Sequence, residues 1–153
     1  MKLLRLALAL APLAVVLVLA APATASTQRY HATFVEIGSG GPAAGISCGS
    51  ATISELGHVA NQCIVFNSCG PNCHVRTITF DDGSTLVIHE SIVGTISPGQ
   101  SSAAGANAPL FLKITQTIVG GTGRFAGATG SGTGTVNTVA GSVITASGTI
   151  TLP

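Results

Sequence analysis

Ile118-Val119-Gly120-Gly121-Thr122-Gly123-Arg124-Phe125-Ala126-Gly127-Ala128-Thr129-Gly130 is the stretch on which the fold turns. Ile114, Ile118 and Val119 are β-branched residues that end a strand. Gly120, Gly121 and Gly123 then supply backbone conformations closed to residues with side chains. Phe125 returns to the core, with Ala126, Gly127 and Ala128 small enough for close packing. A strand, a glycine turn and an aromatic re-entry in so short a space belong to a β protein. A phosphate-binding loop is the rival reading of the glycines. Gly121-x-Gly123-x-x-Ala126 meets only the loose form of that pattern, and no helix or βαβ unit follows, so no nucleotide cofactor is expected.

Working outward, helical periodicity is absent after the first 25 residues, and alternation, β-branching and Gly-rich breaks dominate. Strands are expected near 29–37, 50–56, 61–67, 74–80, 84–92, 110–119, 132–139 and 142–152. Asp82-Gly83 is a hairpin signal and Ala140-Gly141 a tight connection. Residues 38–45 read as a linker and 97–108 as a loop. Glycine at alternate positions from Gly130 to Gly134 strips one face of its side chains, which suits a strand that bends or lies beneath another segment. Eight short antiparallel strands in one domain fit a barrel, whose closure removes exposed edges.

The quoted stretch also resembles the GGTG-R/K-F-x-x-A-x-G segment of the allene oxide cyclase and dirigent-like β-barrels, with Gly120, Gly121, Gly123 and Phe125 as its structural turn. The match covers residues 114–130. It implies an all-β, single-domain, calycin-like antiparallel barrel of eight strands. In the plant families such barrels are usually trimeric, and they perform phenoxy-radical coupling or cyclise a fatty-acid epoxide. The aligned motif is structural and the Cys-rich stretch departs from those families, so no catalytic residue carries over.

Residues 1–25 read as a Sec signal peptide: Lys2 and Arg5, an apolar run over 6–21 broken by Pro12, and the small-x-small pattern Ala23-Thr24-Ala25, with cleavage after Ala25. The β-barrel domain is then 26–153, secreted, with no membrane association after cleavage. Arg29, Arg76, Lys113 and Arg124 face Glu36, Glu55, Asp81, Asp82 and Glu90, a balance of one negative charge with no basic patch. Nucleic acid is therefore not an expected partner. So uncharged a Thr/Ser/Gly exterior is compatible with a homo-oligomer. Cys48, Cys63, Cys69 and Cys73 read as two disulfides in an exported chain. One bridge across the turn Cys69-Gly70-Pro71-Asn72-Cys73 and the pairing Cys48–Cys69 with Cys63–Cys73 are both open.

Alternate residues of a strand share a face. Tyr30, Ala32, Phe34 and Glu36 share one, as do Ala51, Ile53 and Glu55; Arg76, Ile78 and Phe80; Leu86, Ile88 and Glu90; and Ile114, Gln116 and Ile118. Glu36, Arg76, Glu90 and Gln116 are the candidate ligand-binding residues, polar groups gathered on apolar faces, with Glu55 beside them. His31 and His89 fall on the outward faces, opposite those of Glu36 and Glu90, His58 in a turn, and His74 beside a Cys, so no metal site is expected. Arg124 is expected to pair near its own turn. The functional expectation is a secreted barrel that binds a small apolar ligand or serves as a scaffold. The alternatives are a cofactor-independent cyclase or isomerase acting through Arg76, Glu36 and Glu90 in the lumen, and a self-assembling surface protein. Arg76→Ala is expected to abolish binding in a folded barrel. No sequence feature separates binding from turnover.

Overall fold

Each alternating segment forms a strand: β1 (Ser26–Glu36), β2 (Ile46–Ile53), β3 (Val59–Gly70), β4 (Cys73–Phe80), β5 (Thr85–Ile96), β6 (Phe111–Gly121), β7 (Thr129–Asn137) and β8 (Ser142–Leu152). The computed structural model describes residues 24–37, 45–96, 111–138 and 142–153. The expectations for the signal peptide, the 38–45 linker, the 97–108 loop and Ala140-Gly141 fall outside them, apart from residues 24, 25 and 45. Every strand pairs antiparallel with the next, and β1 pairs with β8, so the sheet closes into the expected eight-stranded barrel. The closing seam runs from Ser26 opposite Leu152 to Glu36 opposite Ser142. Among the described residues no helix is long and apolar enough to cross a membrane.

Strand limits differ from the sequence expectation where polar residues sit inside a strand. β3 continues past Asn67, where the expected strand ends, through Ser68 to Gly70. It does so with a register shift between Val65 and Gly70 and a left-handed Asn67 (φ 54°), the marks of a bulge. Glu55 is corrected here: β2 ends at Ile53, and Glu55 is an exposed turn residue with φ 69°, so its side chain never joins the inner face.

The two ends of the barrel differ. At one end the β2–β3, β4–β5 and β6–β7 connections are sewn together. Phe125, in a 3-10 turn at Gly123–Phe125, stacks on Phe80 with ring centroids 4.7 Å apart. The Arg124 guanidinium lies 4.8 and 4.7 Å from those two rings, donates to the Leu56 carbonyl at 2.6 Å and pairs with Asp82 at 3.3 Å. Asp82-Gly83 forms the expected hairpin, with Gly83 at φ 79° and the Phe80 N–H donating to Ser84 O at 2.9 Å. In the quoted stretch Gly123 is left-handed, whereas Gly121 is there for space: a Cβ would collide with the Thr85 carbonyl. Phe125 and Ala128 are buried as expected, and Ala126 is exposed. Ile53, Leu56, Ile78, Leu86 and Ile150 fill this half of the lumen.

Both disulfides lie on the β2–β4 side of the wall. Cys48–Cys63 joins residues directly opposite in the β2–β3 ladder, and Cys69–Cys73 spans the β3–β4 turn. The Cys48–Cys69 with Cys63–Cys73 alternative is not formed. The two bridges place the chain's maturation in an oxidising compartment.

One of the alternate glycines, Gly132, has a specific tenant. Tyr30 on β1 stands opposite Gly148 on β8, Gly148 opposite Gly132 on β7, and Gly132 opposite Gln116 on β6. The phenol crosses both glycines inside the lumen and donates to Gln116 Oε1 at 2.7 Å. A Cβ on Gly132 would strike the Tyr30 hydroxyl. Gly132→Ala is expected to destabilise the barrel by about 1–3 kcal/mol. Tyr30→Phe, which withdraws the struck oxygen, should shrink that penalty. Urea unfolding of the two single variants and the double variant measures the coupling; strictly additive losses would mean the glycine is not kept for the phenol.

Candidate functional site

The strand period carries Glu36, Arg76, Glu90 and Gln116 to the inner wall, and all four are buried. Arg76 has no exposed surface. A buried charge is tolerable only when paired and hydrogen-bonded, and here the pairing is thorough. Arg76 Nε donates to Glu90 Oε1 and Nη2 to Glu90 Oε2, each at 2.9 Å, the forked geometry that guanidinium and carboxylate share. Nη2 also donates to Glu36 Oε1 at 2.8 Å. Nη1 donates to Gln62 Oε1, and the guanidinium carbon sits 4.3 Å above the Phe34 ring. Gln116 Nε2 donates to Glu90 Oε1 at 2.6 Å while its Oε1 accepts from Tyr30.

Each group's acid–base behaviour follows from this arrangement. Burial works against the Arg76 charge, and Glu90 and Glu36 more than offset it, so its pKa moves up. Burial, and then the charge of Glu90, push the Tyr30 phenol up to about 12, which keeps it a donor. His74, opposite Glu90 in the ladder, is held below the usual imidazole range by burial, with Glu90 pulling the other way and Arg76 assisting. Its Nδ1 accepts from the Asn67 N–H at 2.9 Å, so the neutral ring carries its proton on Nε2.

The network forms the floor of a cavity of about 530 Å³ in the half of the barrel where β1, β3, β5 and β7 end. Ile64, Phe66, Ile92, Leu112, Val136 and Ile144 supply apolar walls, and Ser47, Asn67, Asn72 and His74 supply polar points. Phe66 meets His74 edge-on, centroids 5.2 Å apart. The structure thus brings together all four expected site residues. It adds three that the sequence reading did not name as site residues: Gln62, Ser47 and the hydroxyl of Tyr30. Gln62 shares the alternation of Ile64 and Phe66, so the signal was there in β3. Ser47 carried none, because β2 was expected to begin after it.

His31 and His58 are exposed, and His89 is half-buried on the outer wall. Cys69, Cys73 and His89 bring ligand atoms within 4.8 Å of one another, but both sulfurs are committed to the disulfide. Compared with known proteins, the chain matches no family model, no curated protein and no solved structure.

Two measurements follow from the network. Arg76→Ala leaves two buried carboxylates without their cation, a loss of about 3–5 kcal/mol. The expected result is therefore a barrel that melts early or fails to fold, not the folded but ligand-free barrel that the sequence suggests. A melting point close to wild type would show that water reaches the carboxylates. The second is a titration. The chain has one Tyr and no Trp, so phenolate absorbance reports Tyr30 alone. It should ionise near about 12 when folded and near about 10 in urea. Because the folded value is the higher, this linkage stabilises the barrel fully below about pH 10 and is lost as pH rises toward 12. An ordinary native titration would place the hydroxyl in solvent.

Proposed function

We propose that this chain is an exported barrel that binds a small, largely apolar molecule in the open half of its lumen. The cavity of about 530 Å³ carries the reading: its apolar walls narrow onto the polar floor of Arg76, Glu36 and Glu90. Small-molecule sites are commonly concave, of this size, mainly apolar, and fixed by a few convergent polar groups. Binding is favoured over turnover because Arg76 Nε, Nη1 and Nη2 all donate to acceptors of the protein. The floor is a positioned surface rather than a set of uncommitted acids and bases.

Export is part of the proposal. The basic start and apolar run of residues 1–25 support it, as do two disulfides that need an oxidising compartment. So is kinship with the calycin-like allene oxide cyclase and dirigent barrels. The closed barrel and the glycine-rich turn between β6 and β7 support that kinship.

The test uses the uncharged dye N-phenylnaphthylamine, which fluoresces when it leaves water. The disulfide-bonded protein is expected to bind it saturably. Leu112→Trp, which fills the cavity near its mouth, should weaken binding at least about tenfold. Val119→Trp, on the exposed outer face, should leave it unchanged. Undiminished binding by the Leu112 variant would put the dye elsewhere and remove the lumen as the site.

A further inference from the structure

We propose that the polar end of the ligand is a cation, a primary or secondary ammonium, seated between Glu36 and Ser47 on the cavity floor; this rests on the lumen being the binding site. The first argument is charge. The buried network holds two carboxylates and one guanidinium, one negative charge in excess. Among the described residues the other cations lie elsewhere: Arg29 and Lys113 are exposed on the outer wall, and Arg124 seals the opposite end. Desolvated excess charge draws a counter-charge far more strongly than it would in water. A cationic ligand supplies what the described residues do not.

The second argument is hydrogen bonding. Both oxygens of Glu90 are taken, Oε1 by Arg76 and Gln116 and Oε2 by Arg76. Glu36 accepts from Arg76 at Oε1 alone, so among the described residues its Oε2 is the acceptor left over. Ser47 makes the third, independent argument. It is 3 % exposed and lines the cavity, and its Oγ is the one buried side-chain polar atom among the described residues with no hydrogen-bond partner. The register places it correctly. Glu36 pairs with Gly49, and Ser47 is the next residue on the same face, one step nearer the mouth. A buried orphan hydroxyl is costly, and an N–H donor that reaches Glu36 lies within that step. Phe66 lines the adjoining wall, and aromatic rings attract ammonium groups.

The test is calorimetric titration of the disulfide-bonded protein with octylamine, octanol and octanoate, three ligands with one chain and different heads. Octylamine is expected to bind at least about tenfold more tightly than octanol, the scale of one charge-assisted hydrogen bond, with octanoate weakest. Glu36→Gln keeps an acceptor for Arg76 and removes the excess charge; it should weaken octylamine far more than octanol and so erase the preference for the amine. Ser47→Ala, which touches neither charge nor network, should weaken octylamine several-fold and octanol less. If Glu36→Gln does not fold, the wild-type series and Ser47→Ala decide. Equal affinity for amine and alcohol, a preference for octanoate, or an amine preference that survives Glu36→Gln or is untouched by Ser47→Ala overturns the ammonium and leaves the lumen reading standing. Failure of all three ligands overturns it too; if the uncharged dye also fails to bind, the lumen reading goes with it.

Discussion

A guanidinium with no contact to water, held by two carboxylates, is the constraint around which this barrel is arranged. Such a group cannot be stripped of solvent in part: each N–H needs an acceptor and each oxygen a donor, or the fold loses more than the pair contributes. The demand propagates. Gln62 and Gln116 are drawn in as neutral bridging groups, Tyr30 is drawn in to satisfy Gln116, and β7 gives up a side chain at Gly132, where a Cβ would strike the phenol hydroxyl. In what looks like low-complexity sequence, Gly132 makes room for one hydrogen bond, while Gly130, Gly134 and Gly148 answer the close approach of the neighbouring strand's backbone.

This layer divides the lumen. On one side aliphatic and aromatic residues fill the barrel, and Arg124 clamps the connections from outside. On the other the walls stay apart, and the charged layer becomes a floor. Every floor residue stands on a strand, where the ladder fixes its direction and its neighbours fix its rotamer, the placement that holds a binding geometry most tightly. The same rigidity argues against a site that reorganises during a reaction.

Much of this was legible in the alternation of the strands. Glu36, Arg76, Glu90 and Gln116 were placed inside because a period of two leaves no choice of face once apolar neighbours define the inner one. The reading failed where a strand ended or bulged. Glu55 was carried past the end of β2 as though the alternation continued, and β3 was ended at Asn67 although Asn67 and Ser68 lie at a bulge within it. Disulfide connectivity was hidden for a related reason. Which cysteine faces Cys48 is a matter of β2–β3 register, which composition does not encode. The hydrogen bonds of the floor were beyond sequence altogether, since they join residues of five different strands.

The β1–β8 seam has a consequence for how the molecule comes into being. β1, which contributes Tyr30 and Glu36, has one neighbour next to it in the chain and the other in the last strand, reaching Leu152. Until that last strand arrives, β1 is an open edge and its glutamate faces water. Neither disulfide crosses the seam to hold it in waiting. Pairing across such a sequence distance is slow to find, and a fragment lacking β8 lacks the cavity wall that Ser142 and Ile144 supply. The cavity is complete only when β8 closes the seam, so a chain cut short before β8 is an unclosed sheet with Glu36 on its open edge, not a weaker binder.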